Sequence, residues 1–170
     1  MAKMVTKALV SVEQYLRMSF DGPDREFVDG EIVERHVGEN PHSKAQLRLI
    51  LLLSGLRTRS PLHIRPELRL RLAPARYRIP DIAVFAGDEP TEDVPSTPPL
   101  VTVEIVLRDD RYTEIIQKLE EYRQWGVPHI WLVDPWLKRL YVFSSSGLAE
   151  VAAFALLECN GGILSSEVFA

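Results

Sequence analysis

Hydrophobic spacing along this chain switches between the strand period of two and the helix period of about 3.6. Leu68, Leu70 and Leu72 alternate with Arg69 and Arg71, which predicts a strand over residues 62–72. Residues 79–85 and 100–107 are apolar almost throughout, the pattern of central strands covered on both faces. Residues 129–133 and 140–144 predict two more strands, and 151–157 a further edge strand. Helical spacing appears twice at length. Ala45, Leu49, Leu52 and Leu56 form one stripe, widened by Leu47, Ile50, Leu51 and Leu53, so a helix buried around most of its girth is expected over 43–57. Ile115, Ile116, Leu119, Tyr122 and Trp125 form the inner stripe of a helix over 112–125, with Gly126 placed to end it and Pro128 preventing its continuation.

Local signals complete the outline. Ser11 and Gln14 have capping-box spacing, so a short helix starts there and runs to about Met18 before the breaker Asp21-Gly22-Pro23-Asp24. Asp29-Gly30 between two short apolar-alternating runs predicts a hairpin over 25–35. Ala73-Pro74-Ala75-Arg76 is a predicted turn, residues 86–99 a proline-rich acidic loop, and 165–170 a short terminal helix. The order of elements implies one α/β domain spanning residues 1–170, a mixed central β-sheet flanked by helices.

Bulk properties narrow the class. A chain of 170 residues, 46% hydrophobic and 26% charged, suits a globular fold with a real core. A net charge of -4 argues against a protein that coats nucleic acid through overall charge, while leaving room for a local basic groove. The single Cys159 excludes an internal disulfide framework and suits a reducing compartment. No apolar stretch reaches the roughly 20 residues of a membrane helix, and the start lacks a signal peptide's apolar region, so a cytoplasmic protein is expected.

Three ionisable residues stand where burial penalises a charge. Asp81 opens one apolar run, Glu104 lies inside another, and Lys118 borders the buried stripe of the second long helix. Two carboxylates on neighbouring strands suit Mg2+ or Mn2+, which takes one or two protein carboxylates and keeps water elsewhere. Lys118 can pass its stem along apolar surface and deliver an ammonium there. Tyr122, one turn later, can steady it. Blander readings stand beside these: Asp81 as a turn acceptor after Pro80, a structural Glu104–Lys118 ion pair, and Lys118 as a solvated helix residue. His42 at a helix start can be a phosphate contact, a second base or a structural residue. Glu26 and Glu31 flank the hairpin turn, and either can approach the carboxylates or stay solvated.

Positive charge is concentrated in Arg57, Arg59, Arg65, Arg69, Arg71, Arg76 and Arg78, opposed within that stretch only by Glu67. Arg65, Arg69, Arg71 and Arg78 are candidates for tracking a nucleic-acid backbone. A charged guard on a sheet edge explains them equally well. Trp131, Trp136 and Leu137 suggest an apolar surface through which a homodimer can form.

The ordered set Arg25-Glu26-Phe27-Val28-Asp29-Gly30-Glu31, His42, Pro80-Asp81, Val103-Glu104-Ile105, Lys118-Leu119-Glu120-Glu121-Tyr122, Gly126-Val127 and Trp131-Leu132-Val133-Asp134-Pro135 resembles the Uma2 family, also called DUF820, of the PD-(D/E)XK superfamily. The resemblance runs from the first helix to the strand around Tyr141. It implies a restriction-endonuclease-like fold, Mg2+ at Asp81 and Glu104, and Lys118 as the catalytic lysine. The superfamily's usual lysine, two residues after the glutamate, is replaced here by Val106, and Leu107-Arg108 stands where many relatives have Ser-Pro. A metal-dependent endonuclease acting on DNA is the leading expectation. The alternative is a catalytically silent nuclease fold kept for binding nucleic acid or protein.

Overall fold

The computed structural model describes residues 9–56, 60–156 and 162–170. Arg57, Arg59, Leu157 and Cys159, which figured in the sequence reading, lie outside the described residues. Helix α1 (Val12–Arg17) starts as expected. Ser11 Oγ accepts from the Gln14 N–H at 3.2 Å, and the Ser11 N–H donates to Gln14 Oε1 at 2.8 Å, so each side chain satisfies a donor left open at the helix start. Strands β1 (Glu26–Val28) and β2 (Glu31–Val33) form the hairpin, with positive φ at both Asp29 and Gly30, as a two-residue turn matched to strand twist requires.

Helix α2 (Asn40–Gly55) buries His42, Ala45, Leu49 and Leu53. Its girth is not buried all round, as the sequence suggested: Leu47 and Leu51 are exposed, because only one face meets the sheet. The expected strand over 62–72 divides into β3 (Leu62–Pro66) and β4 (Leu70–Ala73). The break falls at Glu67, whose φ of 49° is left-handed and turns the chain from one sheet into another. After the turn at Pro74 and Ala75, Arg76 does not end a loop but opens β5 (Arg76–Arg78). These pieces make a four-stranded sheet in the order β2-β1-β5-β4.

The central sheet has six strands. To β3 it adds β6 (Ile82–Ala86), β7 (Val101–Ile105), β8 (His129–Asp134), β9 (Arg139–Ser144) and β10 (Gly147–Val151), in the order β10-β9-β8-β7-β6-β3. The β9-β10 hairpin was not foreseen, since Gly147-Leu148-Ala149-Glu150 carries little alternation. All pairings are antiparallel except β7 with β8, which α3 (Tyr112–Trp125) connects. A parallel pair needs such a crossover, and the sheet is therefore mixed, as expected. Gly126, at φ 101°, ends α3 in the left-handed cap that glycine adopts without penalty. Strands β11 (Ala153–Ala155) and β12 (Gly162–Leu164) pair separately, and α4 (Ser165–Val168) follows.

Side-chain alternation sorts the core into two layers. Val101, Val103 and Ile105 of β7 join Trp131, Val133, Ala45 and Leu49 on the α2 side. On the other face, Ile130 and Leu132 pack with Leu119 and Tyr122 of α3. Trp131 belongs to the first layer. It is 1% exposed and stacks on Phe154 with ring centroids 4.2 Å apart, so it cannot form the dimer surface suggested from the sequence. Of that trio Leu137 is exposed, while the Trp136 ring lies beneath the Arg108 guanidinium. No helix among the described residues is long and apolar enough to cross a membrane.

Candidate functional site

Register brings Asp81 and Glu104 together. Ile82 of β6 pairs with Val103 of β7, so one step further along the antiparallel ladder sets Asp81 opposite Glu104. Asp81 Oδ2 accepts from the Ile105 N–H at 2.7 Å, which ties the loop before β6 to the end of β7. Because Val103 and Ile105 face α2, alternation turns Glu104 toward α3. There Tyr122 Oη donates to Glu104 Oε1 at 2.8 Å, and Lys118 Nζ lies 2.9 and 3.0 Å from the two carboxylate oxygens. Tyr122 thus steadies the carboxylate rather than the lysine. The Glu104–Lys118 ion pair is real, but it is part of a larger arrangement. Lys118 also donates to Ile79 O at 3.1 Å and sits 2.7 Å from Glu26 Oε1, so its three donors are committed.

Glu26 is the acidic hairpin residue that reaches the site. It accepts from the Ile79 N–H at 2.8 Å and from Arg78 Nη1 at 2.9 Å. Glu31 faces away: it is exposed and does not line the cavity. Strand position carries the difference: Glu26 starts β1, which lies between β2 and β5, whereas Glu31 opens β2 at the edge of the sheet.

Asp81 has further company at its other oxygen. His42 Nε2 lies 3.2 Å and Arg35 Nη2 3.4 Å from Oδ1. Gln46 donates to the Asp81 backbone carbonyl at 2.9 Å. The His42 ring is wedged against Gly38, where an added Cβ would come within 2.7 Å of Nδ1, so only glycine allows this approach. Arg35 was not singled out from the sequence. It lies past the end of β2, where no hydrophobic period marks it.

These groups surround a cavity of about 400 Å³ whose walls include Glu26, Arg35, His42, Asp81, Glu104 and Lys118. Crowding of like charge is evident in the protonation of Glu104. Burial pushes its carboxyl up to about 7, with the Asp81 and Glu26 anions adding to the effect and Lys118 opposing it. Burial raises Glu26 too, but Lys118 and Arg78 outweigh it and hold that carboxyl below its usual range. The Lys118 ammonium is disfavoured by burial, yet Glu104, Glu26 and Asp81 push it above the ordinary lysine range, so it stays charged. For His42, burial is likewise outweighed by the Asp81 carboxylate, which raises the imidazole.

Whether this donor set suits a divalent cation follows from its chemistry. Among the described residues no three His, Cys, Asp or Glu side chains are gathered into a preformed metal cage. Mg2+ does not need one; it takes one or two carboxylates and fills the remaining positions with water. Asp81 and Glu104 supply that pair of hard oxygen donors on adjoining backbone positions beside the cavity. The residues fit.

The arginines expected to track a polyanion are mostly engaged elsewhere. Arg78 is 7% exposed, bound to Glu121 at 2.7 and 2.9 Å and to Glu26, so it is an internal structural cation rather than a surface contact. Arg65 pairs with Glu89, Arg69 with Asp24, and Arg76 with Asp29. Arg69 also lies over the Tyr15 ring. Arg71 is exposed on β4. Arg65 stands on the central sheet, whereas the others belong to or adjoin the smaller one, so they form no single basic face.

Comparison with known proteins agrees with this architecture. The profile of the Uma2 family, described as "Putative restriction endonuclease", matches residues 12–166. No curated protein matches the chain. Among solved structures it is similar to "a putative nuclease belonging to DUF820" from Anabaena variabilis, with 18% identity, a TM-score of 0.81, and coverage of 94% of this chain and 97% of that one. At that identity the likeness establishes the shared fold. The fold, the ordered motifs and the match across nearly all of the sequence lead to one statement of kinship: the chain belongs to the Uma2 family.

Proposed function

We propose that this chain is a divalent-metal-dependent nuclease that hydrolyses phosphodiester bonds in DNA, with Asp81, Glu104 and Lys118 at its centre. The observation that carries this reading is the convergence of those three side chains, from the loop before β6, from β7 and from α3, on one cavity. Asp81 and Glu104 would hold Mg2+ or Mn2+, which supplies Lewis-acid polarisation of the phosphodiester and acidifies water beside it.

The protein's own groups prepare the rest. Tyr122 fixes one oxygen of Glu104, and the Ile105 N–H fixes one oxygen of Asp81, so both carboxylates are oriented before anything binds. Lys118, anchored by Glu26 and Ile79 O, holds its ammonium at the carboxylate site. There its charge can offset negative charge that develops on the phosphate, without giving up the hydrogen bonds that hold it. Glu26 therefore acts by positioning Lys118.

A silent nuclease fold is the second reading, favoured by one observation: Asp81 is already engaged by Arg35, His42 and the Ile105 N–H. Supercoiled plasmid separates the two. The purified protein nicks it with Mg2+ or Mn2+, and Asp81→Ala or Glu104→Ala abolishes the nicking. Nicking that persists in both variants, or none in the native protein with any divalent ion, defeats the proposal.

A further inference from the structure

Arg35 is a cation in the cavity that the reaction above leaves without a task. Its guanidinium makes two contacts, 3.4 Å to Asp81 Oδ1 and 3.6 Å to Glu67 Oε2. Each is a single-point contact and longer than a good charge-assisted bond. Arg78, lining the same cavity, grips Glu121 with two nitrogens and Glu26 with a third, all at 2.7 to 2.9 Å. A guanidinium carries five N–H donors in a rigid fork that matches carboxylate or phosphate. Arg78 fills that fork with protein oxygens. Arg35 does not.

The setting holds Arg35 charged and close to the reacting groups. Burial disfavours the cation, but Asp81, Glu104, Glu26 and Glu67 outweigh it and raise its basicity. Its side chain is 13% exposed and lines the cavity. Glu67, its second partner, is the left-handed residue between β3 and β4, and its N–H donates to Asp81 O at 3.2 Å. A glutamate in that conformation is strained, and such strain gathers where function needs a side chain set in one place. Here it places a half-exposed carboxylate on the rim, beside Arg35.

A divalent cation taking Asp81 Oδ1 and the Arg35 guanidinium repel one another, so the two cannot share that oxygen without loss. Lys118 cannot serve as the free cation, because its donors are spent on Glu104, Glu26 and Ile79. Resting on the nuclease reading, we propose that Arg35 is an exchanging residue. It neutralises Asp81 until a divalent cation binds, then turns on its Glu67 tether to clasp the non-bridging oxygens of a nucleic-acid phosphate. In this way the engagement of Asp81, taken alone as a sign of inactivity, becomes the resting state of an active site.

The test measures binding rather than turnover. Arg35→Ala and Arg35→Lys are compared with the native chain for Mn2+ affinity by calorimetry, and for affinity toward a short fluorescent DNA duplex in Ca2+ by anisotropy. Arg35→Ala should bind Mn2+ several-fold more tightly, because a competing cation is gone, and bind the duplex about tenfold or more weakly, because charge-assisted contacts are lost. Arg35→Lys, which keeps the charge without the fork, should fall between, and it carries the test if the alanine variant does not fold. Native chain that binds Mn2+ through Asp81, with unchanged duplex affinity or unchanged Mn2+ affinity in the Arg35 variants, overturns the exchange while leaving the nuclease reading intact. Native chain that takes up no Mn2+ overturns both.

Discussion

Two clusters of buried charge sit on either side of Lys118, and they are built differently. On one side Glu26, Arg78 and Glu121 close on each other through contacts of 2.7 to 2.9 Å, with the Ile79 N–H completing the set. On the other side Asp81 meets Arg35 and His42 at 3.2 to 3.4 Å, beside a cavity. Residue types are alike in both. The tight cluster joins β1, β5 and α3 and engages all three nitrogens of Arg78, which is what a buried charge needs in order to hold a fold together. The loose one keeps its charges available for something else. Geometry therefore tells the scaffold apart from the site where composition does not.

The largest expected effect tests the scaffold side. Arg78→Ala takes the shared guanidinium from two buried carboxylates, leaving Glu26 to Lys118 and the Ile79 N–H and Glu121 to Gln117 and the more distant Arg76, and breaking a buried pair in this way typically costs about 3–5 kcal/mol. Urea unfolding should show this loss, with Asp81→Asn costing far less. Equal losses in the two variants would erase the distinction between the clusters.

A smaller effect concerns Glu104, which belongs to both sides through Lys118. Its carboxyl, raised by burial to about 7, keeps a proton in the folded chain that the unfolded chain releases near the ordinary glutamate value of 4.5. The folded state thus binds more protons in that window, and this contribution is full below about 4.5 and is lost as pH rises through about 7. Glu104→Gln removes the dependence. Without divalent ions, the native chain should lose about 1–3 kcal/mol relative to Glu104→Gln between pH of about 5 and 8, by urea unfolding. Parallel stability profiles would mean that burial does not hold a proton on Glu104.

The smallest effect is expected at Glu31, outside both clusters. Glu31→Gln should change stability by no more than about 0.5 kcal/mol and leave plasmid nicking as it is, whereas Glu26→Gln should slow nicking by releasing Lys118. A Glu31 variant that nicks as poorly as the Glu26 variant would bring the hairpin's outer strand back into the site.

Local rules settled much of the chain. The capping box at Ser11, the turn at Asp29-Gly30, the α3 stripe ended by Gly126 and the apolar runs around Ala83 and Val103 each depend on neighbours a few residues away, and each element formed where its pattern placed it. Asp81 and Glu104 were legible for the same reason, as charges in otherwise apolar runs. The β3-β4 break at Glu67 was not, because an unbroken alternation of leucine and arginine says nothing about which sheet each half joins. Strand β9 formed where residues 140–144 placed it, but its hairpin partner β10 escaped for lack of alternation.

What the order of residues determined by itself was the set of elements and the presence of misplaced charges, since period, capping and turn chemistry act over a few positions. Which charges meet was decided by the tertiary structure. Glu26 rather than Glu31 reaches Lys118, Arg78 is sealed while Arg35 stays loose, and Trp131 is core rather than surface. These outcomes depend on strand register and on packing between segments as distant in sequence as those that carry Glu26 and Lys118. An ion pair is satisfied or left open over a fraction of an ångström, a scale on which the residue alphabet is silent.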